Sequence, residues 1–331
     1  MGKFILKRIL VMIPVLIGVT FVIFTMMYFT NGNPAQLLLG DMATEEQLWE
    51  LEEEMGLHDS FLTRYFRYLG DILRGDLGTS YTTGQPVADE ILARLPITLK
   101  ISFFCMLFSI AIGIPAGIIS AIKQYSVIDN LAMILALVGI SLPNFWLALM
   151  LVLVFAVKLN ILPASGLYGL QYYILPVISI SASSIATITR MTRSSMLEVI
   201  RADYIRTARA KGQDENKIIF RHALTNALIP IITVVGLQFA STLSGTVVNE
   251  QIFALPGLGK LMVDAIKARN YPVVQGGVFV LALMFSVLNL LIDLIYAFVD
   301  PRIRSQYVKR IQKKRNLAES KSTEGGLACK N

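Results

Sequence analysis

Six stretches of this sequence stay apolar for about the thickness of a lipid bilayer. They cover residues 9–29, 97–122, 131–157, 174–189, 228–248 and 276–299. A helix needs roughly 20 apolar residues to cross about 30 Å of hydrocarbon. In lipid each backbone polar group must be bonded within its own segment, which a helix achieves. The pattern predicts an all-α integral membrane protein with six transmembrane helices. Composition agrees: 54% of the 331 residues are hydrophobic and only 16% are charged, against about 25% charged in a soluble domain. A secretion signal is the alternative for the first stretch. Its apolar region would span about 7–15 residues and close on a small-residue cleavage site. This run is longer and leads into Asn31-Gly32-Asn33-Pro34, so a retained span is expected.

Six crossings sort the cationic residues by side. Twenty-one Lys and Arg fall with the N-terminus, Lys123, the segment 190–221 and the tail from Arg302, and nine fall on the other side. Basic loops remain in the cytoplasm, so both termini are expected there. The same placement accounts for the net charge of +7 and leaves no call for a nucleic-acid partner. The expected divisions are 1–30 (cytoplasmic N-terminus and first span), 31–96 (an extracytoplasmic segment), 97–300 (a five-helix core with a cytoplasmic segment at 190–226) and 301–331 (a basic tail). The tail is expected to be disordered and to rest on anionic lipid.

The extracytoplasmic segment is patterned. Thr44 and Gln47 form a capping box, Leu48, Leu51 and Met55 follow at helical spacing, and Gly56 is a helix stop. Ser60 is placed to cap a second helix that buries Phe61, Tyr65, Tyr68, Leu69 and Ile72 and ends at Gly75. Pro96 marks the expected start of the next helix. The segment reads as a small helical cap, a docking surface, or both.

Catalytic signatures are missing. A phosphate-binding loop needs GxxxxGK[ST]. The nearest string, Gly257-Leu258-Gly259-Lys260-Leu261, lacks the first glycine and the hydroxyl. Two histidines, His58 and His222, and two cysteines, Cys105 and Cys329, make neither a metal-ligand cluster nor a disulfide framework. The reading is a transport subunit, not an enzyme, with no cofactor or metal of its own. A self-powered secondary transporter is the competing class, and it needs ionisable groups within its spans. Asp293, with Asn289 one turn earlier, is the main candidate. A structural ion-pair partner is the plainer reading of Asp293; a proton relay is the other.

The segment 190–226 is too long for a simple connection and too regular for a disordered one. Asp203, Tyr204, Arg206, Thr207, Ala208, Arg209, Ala210, Lys211 and Gly212 form a basic helix-turn with small residues at its centre, followed by Arg221 and His222. Small residues permit close approach, and the cations supply charge around the contact. Such an element fits a groove of a cytoplasmic partner and can pass movement to the spans. For the cargo path, Gln238, Ser241, Thr242, Gly245 and Asn249 recur on one face of the fifth span, and Ser179, Ser183 and Thr187 step along the fourth. Asn144 adds a polar group to the third. Polar groups in lipid either line a wet path or bond across packed helices. Gly113 and Gly117 read as a helix-packing pair, and Pro143 as a kink in the third span.

The order of residues from Arg206 to Gly212 resembles the EAA-x3-G coupling motif of ABC-importer permeases. Arg206 stands at the Glu position, Thr207 and Ala208 at the two alanines and Gly212 at the glycine. Leu224-Thr225 replaces the usual Leu-Pro, and Pro230 follows later. These departures agree with the peptide-permease branch. So do Gly75-Asp76-Leu77-Gly78-Thr79-Ser80, Ser141-Leu142-Pro143-Asn144-Phe145-Trp146, Glu250-Gln251-Ile252-Phe253, Pro256-Gly257-Leu258-Gly259 and Tyr271-Pro272-Val273-Val274-Gln275. The chain is thereby similar to the first permease subunit of dipeptide, oligopeptide or nickel ABC importers. That resemblance implies a type I ABC-importer fold. It also implies a second homologous permease, two cytoplasmic ATPases that hydrolyse ATP with Mg, and an extracytoplasmic substrate-binding protein. The setting implied is a bacterial or archaeal plasma membrane, with di- or oligopeptide cargo and nickel or its chelate as the alternative.

Overall fold

The computed structural model describes residues 2–30, 32–40 and 42–299. The tail 301–331 lies outside the described residues. The chain opens with α1 (Gly2–Tyr28) and continues through three shorter helices, α2 (Pro34–Leu39), α3 (Glu45–Glu54) and α4 (Phe61–Leu73). The capping box forms at α3, with Gln47 N–H on the Thr44 hydroxyl and the Gln47 side chain on Thr44 N–H. Ser60 caps α4 through Thr63 N–H. Gly56 and Gly75 end these helices at φ of 65° and 84°, a region that glycine enters without steric cost.

The second span departs from expectation. Pro96 does not begin a helix; it lies inside α5 (Val87–Ile122). Asp89 and Glu90 sit in the first turn, where carboxylates favour the positive end of the helix dipole. Val87 and Ile91 are buried in a cluster with Leu258, Val273 and Val274. These terms offset the one hydrogen bond that Pro96 cannot donate.

The third span also differs. A kink was expected at Pro143; instead α6 (Val127–Ser141) and α7 (Asn144–Leu151) meet at 102°. Leu142 is extended at φ −76°, ψ 128°, as the ring of a following proline requires. A π-helical stretch (Val152–Lys158) completes the pair. Then come α8 (Gln171–Ile200), α9 (Asp203–Ala210), α10 (Glu215–Lys217), a second π-helical stretch (Ile218–Ala223), α11 (Leu224–Ile252), α12 (Leu258–Lys267) and α13 (Tyr271–Val299).

Three buried clusters fix how the long helices run. Ile101 and Cys105 of α5 pack with Leu175 and Ile180 of α8, and with Phe253 just past α11. At the other end Ile118 and Ala121 meet Met196 of α8 and Ala227 and Ile231 of α11. Helices α5 and α8 are therefore parallel, and the chain between them must return across the same thickness, which only the bent pair α6–α7 can do. Helix α11 runs the opposite way. Ile23 of α1 joins Val273 of α13 at one end, and Arg8 meets Asp293 at the other. The result is six passes, with the start of α1, the end of α13 and α9 on one face.

The α5–α8 contact is close. A Cβ on Gly113 would lie 2.9 Å from Ile188 Cγ2, and one on Gly117 would lie 2.6 Å from the Thr189 carbonyl. The two glycines act as the packing pair that their spacing predicts. Helix α1 stays peripheral, packed on α13 and α4.

Candidate functional site

Helix α9 is built to project. Asp203 in its first turn and Arg209 in its last suit the helix dipole. Ile205 is fully buried among Ile118, Ala121, Met196, Ile218, Ile219 and Ala223, and Ala208 packs partly against the same cluster. Asp203, Tyr204, Arg206, Thr207, Arg209, Ala210, Lys211 and Gly212 are all exposed. One apolar knob thus ties α9 to the ends of α5, α8 and α11 while its polar surface faces away. Ala208 belongs to the inner side, against this chain's own core.

Gly212 ends α9 at φ 73°. Its N–H bonds to the Arg209 carbonyl at 2.9 Å, and Gln213 N–H reaches the Ala208 carbonyl at 3.3 Å, the pairing of a Schellman cap. Open space surrounds the position where its Cβ would be. Arg209 then grips Glu215 with Nε–Oε2 at 3.1 Å and Nη2–Oε1 at 2.5 Å, folding α10 back on α9. The Thr207 hydroxyl bonds back to the Asp203 carbonyl. Tyr204 is exposed beside the Asn226 side chain, whose amide donates to the His222 carbonyl at 2.8 Å. Arg221 is exposed, and His222 is half-buried with Nε2 unpartnered among the described residues. Both lie in the π-helical stretch that leads into α11.

Two ion pairs stand behind this segment. Arg193 of α8 pairs with Asp129 at the start of α6, and Asp129 also accepts from the Ser120 hydroxyl and Tyr125 N–H. Arg8 Nη1 lies 2.8 Å from Asp293 Oδ2, so Asp293 has the structural partner that the plainer reading expected.

The polar face of α11 divides into two stripes. Ser241 is exposed, alongside Leu237 and Val248. Gln238, Thr242 and Asn249 turn towards α8 or into the helix. Gln238 Nε2 bonds to Ser184 Oγ at 3.3 Å, Ser179 Oγ bonds to Asn249 Oδ1 at 3.3 Å, and the Thr242 hydroxyl returns to the Gln238 carbonyl. Gly245 falls within α11. Ser183 is half-buried and its carbonyl accepts from Thr187. Asn144 starts α7, half-buried at the bend. The bonds across α8–α11 hold helices together, while Ser241 is exposed.

A second locus at the opposite face escaped the sequence reading. Glu250, fully buried near the end of α11, accepts from the Thr98 hydroxyl at 2.8 Å and from Lys260 N–H at 2.9 Å. Thr98 in turn accepts from Leu258 N–H at 2.9 Å. The carboxylate thereby caps α12. A Cβ on Gly257 would come within 2.5 Å of the carboxylate oxygens, so Glu250 and Gly257 form one lock. The signal lay in two motif strings six residues apart, one ending in the glycines and one starting with the acid. Beside it Lys260 holds the Asp264 carboxyl below its usual range by a 2.7 Å ion pair. Among the described residues, no group of three or more His, Cys, Asp and Glu is placed to hold a metal ion.

Six passes, a projecting helix between the fourth and fifth, and a polar α8–α11 seam define the permease class of ABC importers. Residues 113–305 match the family described as the binding-protein-dependent transport system inner membrane component, and residues 1–102 match its N-terminal component. The chain belongs to this family. It is 44% identical over 327 residues to the dipeptide transport system permease protein DppB of Alkalihalophilus pseudofirmus, covering 90% of this chain and 98% of that one. It is 39% identical to DppB of Escherichia coli and 40% identical to the oligopeptide transport system permease protein AppB of Bacillus subtilis, each over 92% of this chain and 99% of the relative. Its fold is similar to that of a chain of the inward-facing MetNI methionine ABC transporter, with a TM-score of 0.52 at 18% identity over 63% of this chain and 96% of that one. The relatives are permease subunits, which are transport components, and the chain is a multi-pass membrane protein.

Proposed function

We propose that this chain forms half of the transmembrane path of a peptide importer and is driven by ATPases on the face that carries α9. The observation that carries the reading is the division of α9: Ile205 and Ala208 turn inward, while Asp203, Tyr204, Arg206, Thr207, Arg209, Ala210, Lys211 and Gly212 are left to a partner. An ATPase that moves α9 pulls on Ile205 and so on the ends of α5, α8 and α11 together. Such a lever converts one docking event into a change of access, provided that the spans have two arrangements biased by ATP and by cargo.

On this reading the α9 face is cytoplasmic and both termini lie there, in keeping with the excess of Lys and Arg on that side. Residues 97–300 form the core with its coupling segment at 190–226, and 31–96 belong to the opposite side. Arg221 and His222 complete the contact. A second homologous permease closes the path, a substrate-binding protein delivers cargo, and two separate ATPases hydrolyse ATP with Mg. Peptide is favoured over nickel because the relatives are named for dipeptide, oligopeptide and glutathione systems. Neutral amides and hydroxyls such as Ser241 and Asn144 suit a cargo read by its backbone.

The test is reconstitution. The chain, its second permease, both ATPases and the binding protein, placed in vesicles, should take up labelled dipeptide only with ATP. Uphill uptake by this chain alone, without an ATPase, would defeat the reading.

A further inference from the structure

Helix α4 carries three stripes about a third of a turn apart, and each has a different neighbour. The first comprises Phe61, Tyr65 and Tyr68, which pack on Phe21, Phe24 and Tyr28 of α1. The second carries the charge: Arg67 pairs with Asp59, and Arg74 lies 3.9 Å from Asp71. The third is Leu62, Phe66, Leu69 and Leu73, at the i, i+4, i+7, i+11 spacing of one helical face. Leu62, Phe66 and Leu73 are 59%, 65% and 87% exposed.

The depth of α4 says what covers that third stripe. The Tyr65 hydroxyl donates to the Ile17 carbonyl at 3.1 Å and lies 3.2 Å from the Thr20 hydroxyl. Ile17 sits in the middle of the apolar stretch Ile5–Tyr28, about 16 Å along the helix from Tyr28. A tyrosine hydroxyl reaching that far, with both partners supplied by α1, belongs to a helix set into the hydrocarbon, where polar groups must be satisfied by protein. Arg64 points the other way, its guanidinium 5.1 Å from the Tyr28 ring centre at the outer end of α1. On α1, Val22 and Met26 are likewise exposed, at 57% and 59%, as is Phe29 just past its end, at 74%.

We propose that α4 is an interfacial helix embedded in the leaflet opposite α9, with Leu62, Phe66, Leu69 and Leu73 bedded in lipid acyl chains. Apolar, charged and protein-facing stripes on one short helix are what an in-plane membrane helix requires. The segment 31–96 is then not wholly outside the hydrocarbon; it is anchored at its centre. The inference is independent of cargo and of the ATPases.

Spin labels test it on the assembled complex in vesicles. The background is Cys329→Ser, with buried Cys105 kept. Cysteines are placed one at a time at Leu62, Phe66 and Leu73, and at Thr63, Arg67 and Arg74 as water-facing controls on the same helix. Labels at the first three should be relaxed by oxygen and shielded from chromium oxalate, with an oxygen-to-chromium accessibility ratio severalfold above the controls. Chromium access equal to the controls would mean a water-exposed face and overturn the proposal. Low access to both relaxers would mean that another protein covers the stripe, which overturns it equally.

Discussion

Arg193 holds Asp129 with two parallel hydrogen bonds, Nε to Oδ1 at 2.6 Å and Nη2 to Oδ2 at 2.7 Å. Asp129 is 1% exposed and has two further donors, the Ser120 hydroxyl and Tyr125 N–H. The pair fastens the start of α6 to α8 seven residues before α8 ends at Ile200, behind the coupling helix. Removing one member of such a pair strands a buried charge, at a cost of about 3–5 kcal/mol. Arg193→Ala and Asp129→Ala should each lower the unfolding midpoint of the purified complex by several degrees. Arg193→Lys should recover little of the loss, because a lysine cannot make the planar fork. Wild-type melting of all three variants would show that the pair adds nothing.

Gly212 separates two explanations for a small residue at one position. Its φ of 73° demands glycine, whereas the free space around it does not. Gly212→Ala should cost about 1–2 kcal/mol of local stability through the left-handed backbone alone, and Gly212→Asn less, since Asn tolerates that region. If conformation is the constraint, co-purification of the ATPases should follow the order Gly, Asn, Ala. If close approach of a partner is the constraint, Asn, the larger residue, should be worse than Ala. Pull-down of the ATPases by the three variants decides between them.

Local chemistry was legible in the sequence and long-range pairing was not. The Thr44–Gln47 box and the Ser60 cap depend on neighbours within a turn, and each forms; the Gly113–Gly117 spacing is local too, although the α8 residues it packs against are not. Pro96 misled because a proline inside a helix looks the same as one at its start until the burial of Val87 and Ile91 is known. Pro143 announced a distortion but not its size. The division of the α11 polar face was hidden because period alone cannot say which half of a face meets α8. Glu250 and Thr98 are 152 positions apart and Asp129 and Arg193 are 64 apart, so no local pattern links them.

Asp293 can be tested for the two roles that an intramembrane carboxylate suggests. Paired with Arg8 at 2.8 Å and 21% exposed, it should act as a clamp between α13 and α1. Asp293→Asn should then reduce stability by about 1–3 kcal/mol, between the worth of exposed and buried pairs. ATP-driven uptake per folded complex should stay near wild type at all pH values tested. The charge swap Arg8→Asp with Asp293→Arg should restore part of the stability. A proton relay makes the opposite forecast: uptake collapses in Asp293→Asn, its pH profile shifts, and the swap rescues nothing.

Ile205 is where stability and coupling part company. It is fully buried, and it is the main apolar tie between α9 and the cluster at the ends of α5, α8 and α11. Ile205→Ala removes three methyl-sized groups from a packed site, a local loss of about 2–5 kcal/mol. The exposed residues of α9 that face a partner remain unchanged, so ATPase association should persist. What weakens is the transfer of motion, because α9 can now shift without dragging Ile118, Met196 and Ile231. The expected outcome is uncoupling: ATP hydrolysis by the complex near the wild-type rate, with peptide uptake per ATP reduced severalfold. Ile205→Val, which keeps most of the knob, should lie close to wild type on both measures. Paired measurement of hydrolysis and uptake in the same vesicles checks this, and an equal fall in both would instead mark Ile205 as a docking residue.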